Sequence, residues 1–167
     1  MDGRDASVLE DDRPRALPWT VRATGWLLVA VVVLLAVTAL LTWLQRDDLV
    51  LAWAETSESA SAVVAEGGLE ALEESSIAVP AFVPVALASL VVFGLLAAVL
   101  GGFLRDGVGW SRGWLTALAG FGAAVSVLSL AEGAPALFVV LAVLAVVVDV
   151  ALVAVLWHPA TARHLRG

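Results

Sequence analysis

Four residue types are missing from the 167 residues of this chain: cysteine, lysine, asparagine and tyrosine. Ile77 is the only isoleucine. Without cysteine there is no disulfide, no thiolate nucleophile and no thiolate metal site. The other absent or rare types have AT-rich codons, so a GC-rich genome accounts for them and no function need be invoked. Charge is scarce as well, at 15% of residues against 61% hydrophobic, and the mean hydropathy is +0.98. A soluble domain holds roughly 45–50% apolar and about 25% charged residues. The surplus is that of an all-helical membrane protein, short enough for one domain. Catalytic signatures are missing too: there is no glycine-rich phosphate loop, no nucleophile elbow and no HExxH pair. No enzyme, cofactor or metal centre is expected, and no basic, aromatic-bearing groove suggests nucleic acid.

What the chain has in abundance is long uncharged runs. A span needs about 20 apolar residues, and four segments qualify, at about 24–44, 81–104, 114–131 and 136–157. Ala52-Trp53-Ala54 looks like a signal-peptidase site. However, the first run far exceeds a signal h-region of about 7–15 residues, and Arg46-Asp47-Asp48 intervenes, so an uncleaved span is expected. Thr38 and Thr42 are expected to bond to their own helix's carbonyls, as are Ser126 and Ser129. Pro80 and Pro84 predict a kink in the outer part of the second span. Gly94, Ala98 and Gly102, spaced by four, form a small-residue stripe that lets another helix approach, within the bundle or from a second copy. Gly120 and Ala124 form a similar pair in the third span, and Gly122 and Ser126 another. Pro135 suits the start of the fourth helix.

Between these runs lie the polar segments. Residues 1–22 mix acids and arginines around Pro14 and Pro18 and are expected to be a disordered tail. The loop at about 46–80 carries eight acids against Arg46 alone. Leu49, Val50, Leu51 and Trp53 predict that the first helix continues past the membrane. Breaks are expected over Thr56 to Ser61 and at Gly67-Gly68, giving a helix-turn-helix cap. Glu66, Glu70, Glu73 and Glu74 are spaced to share one helical face. That face is read as a solvated acidic surface, the sharper alternative being a site for cations or a basic partner.

Orientation follows from the arginines. Four lie in the tail, Arg105 and Arg112 in the short turn 105–113, and Arg163 and Arg166 in the end segment 160–167; the acidic loop holds one. An eight-to-one split predicts a plasma-membrane protein with both termini and the turn cytoplasmic and the loop outside. Arg105, Trp110, Arg112 and Trp114 are the expected cytoplasmic interface anchors, a role tryptophan and arginine favour at headgroup level. The fold expected is an all-α, up-down-up-down bundle of four transmembrane helices with a helical extension between the first two. Its single domain covers 23–159.

Gly107-x-x-Trp110-x-Arg112, directly before a span, resembles the G-x-x-W-[AS]-R turn of a family of small four-span membrane proteins from actinobacteria. The closing Leu156-Trp157-His158-Pro159-Ala160 is similar to that family's ending, an apolar helix stopped by Pro-Ala and a basic tail. The resemblance implies a fold and a lineage, and no chemistry.

One residue breaks the apolar pattern. Asp149 lies eight residues before Trp157, about 12 Å from the inner boundary at 1.5 Å per residue. An acid inside a membrane costs roughly 2.5–3.5 kcal/mol on insertion scales and is by default a functional candidate. Ala142 and Ala145 share its face, which points it into the bundle. Matching depths on the other spans fall near Leu34, Ala97 and Gly122, none of which can pair with a carboxylate, and Ser126 is about a turn too far out. The expectation is an acid in contact with a neighbouring helix or a partner. The alternative is the coupling site of a small, oligomeric, proton-coupled transporter. Small multidrug transporters are also four-span but carry their acid in the first helix, which has none here. His158 and His164 lack any companion ligand to complete a metal site. The leading expectation is a non-enzymatic accessory or scaffold protein. Its partners are the lipid bilayer and either another membrane protein or further copies of itself.

Overall fold

The computed structural model describes residues 18–131 and 135–165, and these form helices with no strand. Of the disordered tail expected over 1–22, residues 1–17 lie outside the described residues, as do Glu132-Gly133-Ala134 and Arg166; Trp19 to Arg22, placed in that tail, are instead the first turn of a helix. Helix α1 (Trp19–Leu44) starts directly after Pro18. Thr24, Thr38 and Thr42 each donate their hydroxyl to the carbonyl four residues back, at 2.9, 2.9 and 2.8 Å. Such a hydroxyl needs no partner outside its own helix, which makes it tolerable in an apolar medium.

Gln45 interrupts the helical path (φ −109, ψ 26) and α2 (Arg46–Thr56) carries on beyond it. The break expected over Thr56 to Ser61 is confined to Ser57, which is extended, and α3 (Glu58–Glu74) follows at once. Inside α3, Gly68 sits at φ 69, ψ −156, a conformation open in practice only to glycine. The resulting kink lies between Glu66 and the pair Glu70 and Glu74. The single acidic helical face expected from their spacing is therefore not formed. α2 and α3 close on a small core of Val50, Ala54, Ala60 and Leu72, flanked by Trp53, Ile77 and Phe82.

Helix α4 (Phe82–Arg105) corrects the expected proline kink. Pro80 precedes the helix and Pro84 is its third residue. The first four N–H groups of a helix have no intrahelical acceptor, so a missing one there costs nothing. α4 ends at Gly107, whose φ of 80 is left-handed. Val108 N–H donates to the Phe103 carbonyl at 2.9 Å and Gly107 N–H to that of Leu104 at 3.2 Å. This pair of bonds closes the helix end and returns the chain. α5 (Trp110–Ala131) leaves from the turn, and the buried Ser111 donates its hydroxyl to the Val108 carbonyl at 2.6 Å.

Helix α6 (Ala136–Leu156) follows Pro135. The segment after it, expected to be a tail, forms a short helix α7 (Pro159–His164). Its start is capped by His158, whose Nδ1 accepts from the Ala160 N–H. The fully buried Thr161 ties it back to the Val155 carbonyl at 2.9 Å. His164 Nε2 lies 3.3 Å from the Arg105 carbonyl, so α7 lies across the α4–α5 turn.

α1 packs against α4 and α6, and α5 against α6 and α4. Their shared core holds Leu28, Leu100, Leu104, Leu115, Leu152 and Leu156. It is concentrated at the end of the bundle that carries the 105–113 turn. Outward-facing valines and leucines such as Val29, Val33, Leu95 and Val147 are exposed. α1, α4 and α6 are each long and apolar enough to cross a membrane. In lipid, an outer apolar surface of this kind carries no penalty.

Two substitutions test this end of the bundle. Gly107→Ala forces a Cβ into a left-handed conformation, at about 1–2 kcal/mol, and should lower the thermal midpoint in detergent. Thr20 is fully buried, and its hydroxyl is the one completely buried side-chain oxygen among the described residues with no hydrogen-bond partner. Thr20→Val removes an unsatisfied group at constant shape. It should leave the midpoint unchanged or raise it, and a fall would show that the hydroxyl has a partner.

Candidate functional site

Asp149 sits on the face of α6 that meets α5. It is 5% exposed. A Cβ built on Gly122 would come 3.0 Å from its Oδ2 and 3.8 Å from its Cγ. The carboxyl group thus occupies the space left by a missing side chain on the neighbouring helix. Leu115, Ala119 and Gly122 follow at helical spacing on α5, and the first two are fully or nearly fully buried. The contact face of α5 therefore runs through these residues. Among the described residues none donates a hydrogen bond to the Asp149 carboxylate, and no cluster of acids and histidines could hold a metal ion. The arrangement provides one enclosed carboxyl group, held by shape alone.

The turn end is the other polar region, and its anchors divide into two groups. The Arg112 guanidinium lies 3.8 Å from the centroid of the Trp157 ring, and the Trp157 indole N–H donates to Thr116 Oγ1 at 3.1 Å. Cation–π contacts of this kind are worth about 0.5–1 kcal/mol when exposed and more when desolvated. Arg112 thus ties the start of α5 to the end of α6. Trp110 packs on Phe103 with ring centroids 5.3 Å apart, and Trp19 meets His158 edge to face at 5.2 Å. Trp114 is exposed and pairs with no ring among the described residues. The Arg105 side chain is exposed beside α1.

The small residues read from the sequence as packing positions are placed differently. Gly94 and Gly102 have nothing within 4 Å of a built Cβ, and Ala98 is exposed. The close approach of α1 to α4 passes instead through Gly101, where a Cβ would come 2.9 Å from Leu28 Cδ1. Gly120 likewise faces open space and Ala124 is exposed. Phe93 and Phe121 stack at 5.6 Å and join α4 to α5. Gly101, Thr116 and Ser111 were not singled out from the sequence, and His164 was weighed there only as a metal ligand. Gly101 is masked there by its neighbour Gly102, and the roles of the other three depend on where distant helix ends meet.

No family model matches the chain, and neither does any curated protein or solved structure. The resemblance of the turn and the closing helix rests on those two motifs alone.

The fit between Asp149 and Gly122 gives a direct test. Asp149→Asn keeps the shape and should leave the thermal midpoint nearly unchanged. Gly122→Val overfills the seam and should cost about 1–3 kcal/mol, seen as a lower midpoint in detergent. Combining Gly122→Val with Asp149→Ala should recover part of that loss. Additive losses in the double variant would mean that the two residues do not share the space.

Proposed function

We propose that this chain is a four-span plasma-membrane protein, up-down-up-down with both termini cytoplasmic. In this reading it serves as a non-enzymatic accessory or scaffold subunit for another membrane protein. α5 is 22 residues long, about 33 Å at 1.5 Å per residue, enough to cross. Contacts at the turn end support its crossing. The ends of α4 and α6 are both held there, through His164 on Arg105 and through Trp157 on Thr116. α5 provides the return between them. The arginine distribution supports placing that end inside.

The observation that carries the accessory reading is the α2–α3 hairpin. It is folded on its own buried core, and Asp47, Asp48, Glu55, Glu58, Glu66, Glu70 and Glu74 are all exposed on it. A solvated coil would serve if the loop only had to connect two spans. A hairpin with a core holds its carboxylates in a fixed arrangement. Fixed charge of one sign gives orientation and selectivity toward a basic surface.

A second reading has one observation in its favour, the enclosed carboxyl group of Asp149 against Gly122. In a proton-coupled transporter it would be the site that alternately holds a proton and releases it.

The absence of cysteine makes the orientation easy to measure. Ser59→Cys in the hairpin should react with a membrane-impermeant maleimide on intact cells, and Gly109→Cys in the turn only after permeabilisation. The reverse pattern would invert the proposed topology. Function is tested by purification from native membranes in mild detergent. A membrane protein is expected to co-purify at fixed stoichiometry and to be lost when Glu66, Glu70 and Glu74 are changed together to Gln. Should the chain purify alone, and should proteoliposomes show proton flux that Asp149→Asn abolishes, the transport reading replaces the first.

A further inference from the structure

We propose that the groove between α1 and α4 at the turn end is a binding site for one anionic phospholipid, with an acyl chain along the groove and the phosphate between Arg22 and Arg105. The inference goes beyond the accessory reading and uses only that α1 and α4 cross a bilayer. It holds whichever side the turn faces.

The two helices touch where Leu28 lies on Gly101 and separate around that contact. The opening is a groove of about 410 Å³ whose walls include Gly25, Val29, Val33, Gly94 and Ala98. Gly25, Gly94 and Gly102 have nothing within 4 Å of a built Cβ, so no part of the described chain fills it. Its wall on α1 runs from Val21 to Val33, about 18 Å at 1.5 Å per residue. Half of a bilayer's hydrocarbon core is about 15 Å. The groove therefore has the length of one leaflet's acyl chain. Its lining is apolar apart from Thr24, whose hydroxyl is already donated to the Thr20 carbonyl, and Arg105 at the end.

At that end the groove opens into a second recess of about 300 Å³, lined by Arg22, Trp26 and Arg105 together with Val21, Gly25 and Val29 from the groove itself. Among the described residues no carboxylate pairs with either arginine. Two cations at the mouth of a one-leaflet apolar groove match the amphipathic shape of a phospholipid with a net negative headgroup. Trp26 is 73% exposed beside them, at the level where indole rings favour the headgroup region. A second copy fits less well. A two-fold axis along the membrane normal brings equal depths together, which would set the Arg22 and Arg105 pairs of both copies against each other.

The test is native mass spectrometry of the full chain released from detergent, titrated with dioleoyl phosphatidylglycerol or dioleoyl phosphatidylcholine. One phosphatidylglycerol should bind in preference to phosphatidylcholine. The Arg22→Gln, Arg105→Gln double variant should bind it roughly tenfold or more weakly, given about 1 kcal/mol per arginine near a lipid surface. Both side chains are exposed, so this variant keeps its fold. Arg163→Gln, outside the groove, should bind as the unaltered chain does. Ala98→Phe, which fills the groove and leaves both arginines, should also lose the bound lipid. Excess inorganic phosphate should not displace it. Equal binding of the two lipids, retention by the double variant, or displacement by phosphate alone would each overturn the proposal. So would efficient disulfide crosslinking of Ala98→Cys between copies in membranes, which would assign the groove to a second chain.

Discussion

The bundle depends on how its turn end is closed. α4 can reverse into α5 only because Gly107 takes a positive φ and sends the next amide back to the Phe103 carbonyl. Around this reversal the side chains interlock. Of the largest fully buried side chains, all except Leu72 lie here, including Leu104, Leu115, Leu152, Leu156, Ser111 and Thr161. α7 then lies across the turn and brings His164 to the Arg105 carbonyl. A carbonyl at a helix C-terminus lacks an intrahelical donor, so this contact satisfies a group that the turn itself leaves open. The end of the chain thereby becomes part of the closure.

Away from this end the same helices bury few side chains, and the physical setting explains why that is acceptable. In lipid, apolar groups gain nothing by leaving the solvent, and helices associate through van der Waals contact and polar links. The threonines Thr24, Thr38 and Thr42 of α1 bond within their own helix, so their hydroxyls provide no such links between helices. What holds α5 to α6 beyond the core is shape, with the Asp149 carboxyl in the space of Gly122, together with the Arg112–Trp157–Thr116 chain. What holds α1 to α4 is Leu28 on Gly101. Either side of that point the surfaces separate, and the separation forms the groove.

Much of this was legible in the sequence because the apolar runs and their interruptions are strong local signals. The helices lie close to the expected spans, and the kink at Gly68 and the folded hairpin were readable from Gly67-Gly68 and the amphipathic residues around it. Counting depth along the spans put Gly122 level with Asp149 but did so equally for Leu34 and Ala97, and only the packing of α5 on α6 selects Gly122. Small residues were less informative. Glycine marks where a helix could approach, not where one does. Gly94, Ala98 and Gly102 satisfy the spacing rule and yet line open space, while Gly101 makes the contact. The choice between adjacent faces of α4 is set by the rotation of the helix, which the spacing of small residues does not fix. Pro84 read as a kink for a similar reason, because its effect depends on its distance from the helix start. The segment after Pro159 read as a tail because its six helical residues are too few to show periodicity, and its order comes from Thr161 and His164 meeting distant carbonyls.

The placement of Asp149 in the otherwise uncharged helix α6 bears on which functional reading is better supported. A carrier site has to be reachable by its substrate from a cavity that opens in turn to each side. The groove described above lies between α1 and α4, and none of its walls belongs to α6. Asp149 lies in a different seam, pressed against Gly122 between α5 and α6. For transport, the α5–α6 seam, joined by the most extensive helix contact in the chain, would have to part. Parting it would break the Arg112–Trp157 contact and expose Leu115 and Leu152. A scaffold needs no such motion. It needs a stable bundle, a fixed polar surface and an apolar outward face, and the α2–α3 hairpin and the exposed valines and leucines supply the last two without motion. Their shared independence of motion is the reason for placing the accessory reading ahead of transport.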